Sequence, residues 1–141
     1  MKKGVTLLEA VISLAVLSTL VYLASTAFLN LAPKYRLEKA VWEVRSALNS
    51  ARYKALFECV SWRVKLNPDS YSCEKYDDVQ KSWRLMEKRL LDGVSMQANN
   101  TPVFTAEGAV SGLATIYIFN AWGRYKITLA ITGRIKSTRV T

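Results

Sequence analysis

The sequence predicts an α+β protein, one long N-terminal helix packed on an antiparallel β-sheet head. Three observations carry this expectation. A stretch of apolar and hydroxyl residues without a single charge runs from Ala10 to Leu29, apolar residues then recur at three- and four-residue spacing from Pro33 to Cys59, and beyond Cys59 the period falls to two between turn signals.

Taking the elements in order, a helix over Ala10 to Leu29 spans roughly 30 Å at about 1.5 Å per residue, enough to cross the hydrocarbon core of a bilayer. From Pro33 onward Leu37, Ala40, Val41, Val44, Leu48, Ala51, Ala55, Leu56 and Cys59 line one helical face, while Arg36, Glu43, Asn49, Arg52 and Lys54 occupy the other. This second half is therefore amphipathic. Pro33 is the single breaker between the halves, suited to a first turn or a kink.

After the helix, Val60, Trp62, Val64 and Leu66 alternate with polar residues as a half-buried strand, Asn67-Pro68-Asp69-Ser70 supplies a turn, and Tyr71 to Tyr76 returns as the second arm of a hairpin. Further strands are expected at Trp83 to Arg89, Gly93 to Gln97, Ala114 to Phe119 and Tyr125 to Ile131, with a short last strand after Gly133. Ala114 to Phe119 is apolar on both faces, as a central strand would be. Ala98 to Pro102 and Glu107 to Gly112 read as surface loops.

The chain has 141 residues, twenty basic and eleven acidic, for a formal charge of +9. About thirty residues in the apolar segment leave one domain of ordinary size. The positive balance favours anionic partners. Histidine is absent, which removes the usual general base and metal ligand, and two cysteines alone do not make a zinc site. Asp77-Asp78 with Glu74 read as a solvated turn rather than a calcium loop, and no phosphate-cradling glycine loop is present. Neither an enzyme, a metal, a cofactor nor a small-molecule substrate is expected.

The residues at the very start decide among the readings of the apolar segment. Met1 to Ala27 has the basic start and apolar stretch of a secretory signal, with Ser25-Thr26-Ala27 as its cleavage site, and a plain anchor or a buried core helix also fits its composition. Glu9 is the anomaly, because an ionised carboxylate in an apolar helix costs on the order of 3 kcal/mol on insertion scales and is usually functional. Lys2-Lys3-Gly4-Val5-Thr6-Leu7-Leu8-Glu9 resembles the class III signal of type IV pilins and type II secretion pseudopilins, with Val5 where that family most often has Phe.

The resemblance implies a pilin-like fold with three parts. Residues 1–4 are a leader that a prepilin peptidase removes by cutting between Gly4 and Val5, Val5 being then N-methylated. Residues 5–32 are a transmembrane half-helix, and residues 33–141 an amphipathic half-helix and a periplasmic β-sheet head. Glu9 is implied to pair with the terminal amine of a neighbouring subunit during assembly. Basic residues flank the span on both sides, so charge leaves its orientation open; the resemblance puts the leader in the cytoplasm, the span in the bacterial inner membrane and the head outside. Removing Lys2 and Lys3 lowers the charge to +7 before the new amine is counted.

Within the superfamily, the helix through Ser50-Ala51-Arg52, the segment Phe104 to Gly108 and the ending Thr132-Gly133-Arg134-Ile135 are similar to the head of type II secretion minor pseudopilin H and of its type IV pilus relative, fimbrial protein T. The implied function is a structural component at the tip or initiation complex of a secretion pseudopilus, supporting export across the outer membrane, with other pseudopilins as partners. The alternative is a type IV pilus minor pilin that binds DNA during natural transformation. In that reading the candidate anion contacts are Arg124, Lys126, Arg134, Lys136 and Arg139, a run without an acid, and Gly133-Arg134-Ile135-Lys136 matches a Gly-Arg-x-Arg tail with Lys for the second Arg. A strand edge blunted by charge explains the same run. In the oxidising compartment that the resemblance implies, Cys59 and Cys73 are a candidate disulfide, or two buried thiols.

Overall fold

The computed structural model describes residues 6–140 and contains one helix and nine strands among them. Helix α1 (Leu7–Glu58) keeps its assignment through Pro33, and the chain divides into two compact units, Met1–Ala32 and Pro33–Thr141.

In the first unit, Leu7–Thr26 is long and apolar enough to cross a membrane, and none of it is buried within the protein. Its hydroxyls do not compromise that property. Ser13, Ser18, Thr19, Ser25 and Thr26 each donate to a backbone carbonyl three or four residues earlier, at 2.8 to 2.9 Å. A hydroxyl bonded to its own helix presents little unpaired polarity to an apolar surrounding.

The second unit carries two antiparallel sheets. The first contains β1 (Trp62–Leu66), β2 (Ser70–Asp77), β3 (Ser82–Leu90), β5 (Val103–Phe104) and β6 (Val110–Ser111), in the order β3-β2-β1-β5-β6. The second contains β4 (Ser95–Ala98), β7 (Thr115–Asn120), β8 (Gly123–Leu129) and β9 (Ile135–Val140), in the order β4-β7-β8-β9. The β1–β2 hairpin ties them together: its turn carbonyls at Asp69 and Pro68 accept from the N–H groups of Leu91 and Met96, both at 2.7 Å.

One buried cluster joins the helix to both sheets. Leu37, Ala40, Val41, Val44, Ala47, Leu48, Ala51 and Ala55 meet Trp62, Val64, Tyr71 and Cys73 from the first sheet and Met96, Ile116, Ile118, Ile127 and Leu129 from the second. The alanines are why the sheets can approach the helix closely, while Trp62 and Phe104 supply the bulk. This is the α+β architecture expected from the change of period.

The strands form two sheets, a division the expectation of a β-sheet head left open. Three expectations need correction. Val110 and Ser111, read as part of a loop, pair with β5, because Val110 is needed to close the core beside Phe104. Leu56 and Cys59 do not belong to the buried face; the helix ends at Glu58 and Cys59 turns away with a positive φ of 54°. Finally, β7 is central but not buried on both sides: Ile116 and Ile118 are inaccessible, whereas Tyr117 and Phe119 are half-buried on the outward face.

Candidate functional site

Gly4 and Val5, the expected cleavage and methylation residues, lie outside the described residues. The site can be followed from Thr6. Its Oγ1 accepts a hydrogen bond from the Glu9 N–H at 3.3 Å, and the Thr6 carbonyl accepts from Ala10 N–H at 3.1 Å. Thr6 is thus the N-cap of α1, and Thr6-Leu7-Leu8-Glu9 has the spacing of a capping box. Glu9 falls in the first turn, where the partial positive charge of the exposed N–H groups favours an anion. Its side chain is exposed, and among the described residues no cation lies within ion-pair distance of it. A local reason for a glutamate thus exists beside the assembly role that the resemblance implies, and the two are compatible.

The helix half in the second unit shows a face that its heptad-like core pattern conceals. Tyr35, Trp42, Tyr53 and Phe57 fall on one side of α1 and are 61%, 69%, 69% and 91% exposed. Ser46 and Asn49 lie between Trp42 and Tyr53, where a depression of about 290 Å³ opens beside Trp42 and Arg45. Four exposed aromatic residues in line form an apolar strip of the kind that marks contact surfaces.

Beside this stripe, a cleft of about 210 Å³ separates α1 from the β2–β3 arm, with Tyr71 and Cys73 at its floor and Glu87 and Arg89 on its rim. Burial pushes the Cys73 thiol up, with Glu87 adding to the effect, and burial likewise raises the Tyr71 hydroxyl.

On the second sheet, cross-strand register decides which basic residues act together. Phe119 faces Arg124, Tyr117 faces Lys126 and Thr128 faces Lys136, so these side chains share the outward face. The Arg124 guanidinium sits 5.2 Å from the Phe119 ring and 5.7 Å from Tyr117, and the Lys126 ammonium 6.0 Å from Tyr117. Arg139 belongs to the other side, stacked 4.0 Å over Trp122, which Lys34 also approaches at 5.6 Å. Arg134 is exposed in the turn before β9. Gly133, by contrast, is buried with a φ of +77°, and the Arg52 guanidinium donates to the carbonyls of Thr132 (3.0 Å) and Gly133 (3.4 Å).

Neither a protein-family model nor a curated protein matches this chain. Two solved structures of the minor pseudopilin EpsH, from the type II secretion system of Vibrio cholerae, do match it, with TM-scores of 0.62 and 0.64. Each alignment covers 74% of this chain and 97% of the other, at 11% identity. The chain has the fold of a minor pseudopilin.

On this pseudopilin fold the remaining expected sites can be placed. Cys59 and Cys73 are both free thiols; Cys59 is exposed beyond the helix, its Sγ donating to the Leu56 carbonyl at 3.7 Å, while Cys73 faces the core opposite Val64. The candidate disulfide pair is therefore not brought together. Of the acids Glu74, Asp77 and Asp78, Glu74 pairs with Arg63 and the Asp77 carboxylate accepts from the N–H groups of Val79 (2.9 Å) and Gln80 (3.1 Å), while Asp78 is exposed inside that turn. The five basic residues of the C-terminal run divide into three on the outward face, one on the opposite side and one in a turn, so they are not a single tail site. Sequence periodicity missed the aromatic stripe, although Tyr35, Trp42 and Tyr53 recur at spacings of seven and eleven, the signal that could have found it.

Proposed function

We propose that this chain is a minor pseudopilin, a non-catalytic structural subunit of a type II secretion pseudopilus that acts at its tip or initiation complex and supports export of proteins across the outer membrane. The observation that carries this reading is the coexistence, in one chain, of a minor-pseudopilin fold and a membrane-length apolar helix that opens with Thr6-Leu7-Leu8-Glu9 directly behind Lys2-Lys3-Gly4-Val5.

In this account a prepilin peptidase cuts after Gly4 and the amine of Val5 is methylated. The span stays in the inner membrane and the head stands in the periplasm. Glu9 then receives the terminal amine of an adjacent subunit, since opposite charges attract more strongly in lipid than in water and an unpaired charge there is costly. The exposed aromatic stripe of α1 supplies the contact to other pseudopilins. The competing reading, a pilus subunit that binds DNA through its tail, has less support: Gly133 is accounted for by its contact with Arg52, and Lys136 and Arg139 fall on opposite sides of β9.

Glu9→Ala tests the assembly role. It should leave leader removal and the folded head unchanged while abolishing incorporation into filaments, measured by shearing and blotting. Normal incorporation would refute the charge pairing.

A further inference from the structure

We propose that the turn between β7 and β8 rests on the membrane surface, with Lys34, Arg124 and Arg139 holding the phosphates of anionic phospholipid headgroups. The inference rests on the reading of Leu7–Thr26 as membrane-spanning and concerns a lipid contact of the head.

Position along the chain is the first argument. Lys34 is the first charged residue after Glu9. As a helix, the uncharged residues 10–33 are about 36 Å long, a little more than the roughly 30 Å of a bilayer's hydrocarbon core. Lys34 therefore falls at the depth of the headgroups.

The head is fastened to the helix at the same level. The Asn120 side-chain amide donates to the Pro33 carbonyl at 2.7 Å, and its Oδ1 accepts from the Trp122 N–H at 2.9 Å. One side chain thus ties the turn to the residue before Lys34 and sets Trp122 in place. The Trp122 ring carries two cations, Arg139 at 4.0 Å and Lys34 at 5.6 Å. Arg124 extends the group along an open depression of about 350 Å³ that Gly123 and Val140 also line.

These cations are free to take an external anion. Among the described residues no acid lies within ion-pair distance of Lys34, Arg124 or Arg139, whereas Arg36 and Lys39 on the same stretch of helix are paired with Asp92 and Glu43. Location selects the anion. Lipid phosphates are dense at headgroup depth, and each Lys or Arg held near an anionic surface adds to the attraction. A zwitterionic headgroup pairs its phosphate with its own ammonium and offers less. Trp122 adds an amphipathic ring of the kind that settles at the membrane–water interface.

The test places the full chain in nanodiscs of phosphatidylcholine, with and without phosphatidylglycerol, and follows amide hydrogen exchange over residues 121–124. The expected result is exchange slower by about fivefold or more when phosphatidylglycerol is present, the difference fading as salt rises. Lys34→Gln with Arg139→Gln should abolish the difference, with unchanged exchange in β1 as the check on folding. Lys34→Arg with Arg139→Lys, which keeps the charge, should retain it, as should Arg84→Gln with Lys88→Gln on β3. Inorganic phosphate, oligodeoxythymidylate or polyglutamate added to the phosphatidylcholine discs should produce no comparable slowing. Slowing by one of them to the phosphatidylglycerol level would assign the cluster to that anion and overturn the lipid contact. Equal exchange in the two kinds of disc, or an undiminished difference in the glutamine variant, would overturn it as well. A chain that alkaline carbonate strips from vesicles would overturn the span and this proposal together, whereas a chain that stays inserted and exchanges equally overturns this proposal alone.

Discussion

Arg52, three turns along α1 from Trp42, reaches across to the turn before β9 and fills the space that a side chain at residue 133 would need. A Cβ on Gly133 would lie 2.5 Å from Arg52 Nε, and the φ of +77° there is one that other residues adopt only with strain. The guanidinium in turn donates to the carbonyls of Thr132 and Gly133. A glycine that the sequence places in a nucleic-acid motif is therefore a structural partner of the helix.

The pair yields a stability prediction. Gly133→Ala should destabilise the protein by about 1–3 kcal/mol, from backbone strain and displacement of Arg52. Arg52→Ala should cost about 1–2 kcal/mol through two lost charge-assisted hydrogen bonds. Because each change disrupts the same contact, the double variant should lose less than the sum. Chemical denaturation of the full chain in detergent checks all three, and a neutral Gly133→Ala would contradict the contact.

The two faces of α1 should separate folding from assembly. Leu48 is inaccessible at the centre of the core, so Leu48→Ala should cost about 2–5 kcal/mol. Trp42 is 69% exposed, so Trp42→Ala should alter stability by no more than about 0.5 kcal/mol while reducing association with other pseudopilins in cross-linking or co-purification. Loss of folding in Trp42→Ala, or undiminished association of a Trp42→Ala, Tyr53→Ala variant, would count against the stripe as an interface.

The cysteines should react at very different rates. Cys59 is exposed, while the Cys73 thiol is buried and held above its ordinary range, chiefly by burial, so thiolate is scarce at Cys73 at neutral pH. Maleimide at neutral pH should label Cys59 alone in the folded protein and both after denaturation. A folded protein that takes up no maleimide until reduced would show the two to be joined.

Much of this architecture was legible in the sequence because burial imposes a period. Leu37, Ala40, Val41, Val44 and Leu48 repeat at helical spacing, and Trp62 and Val64, like Ile127 and Leu129, alternate with polar residues, since each set faces one core. The two-residue strands β5 and β6 are too short to show any period, and the division into two sheets is set by long-range pairing that no local pattern encodes. Arg52 reads as one more residue of the polar helix face because its charge says nothing about the carbonyls it reaches 80 residues away. The basic run from Arg124 to Arg139 looked like one site because sequence order does not reveal that Lys136 and Arg139 point to opposite sides. What an apolar count cannot supply is the sign of an aromatic residue's environment: Trp62 and Trp42 look alike in sequence, yet one is core and the other surface.

The central claim, that this chain is processed and assembled as a pseudopilin, is most directly tested by intact mass spectrometry of the membrane-bound protein from cells with an active prepilin peptidase. The account predicts a chain that begins at Val5 and carries one methyl group on its terminal amine. A chain that begins at Met1, or at Phe28 after cleavage behind Ala27, would contradict it.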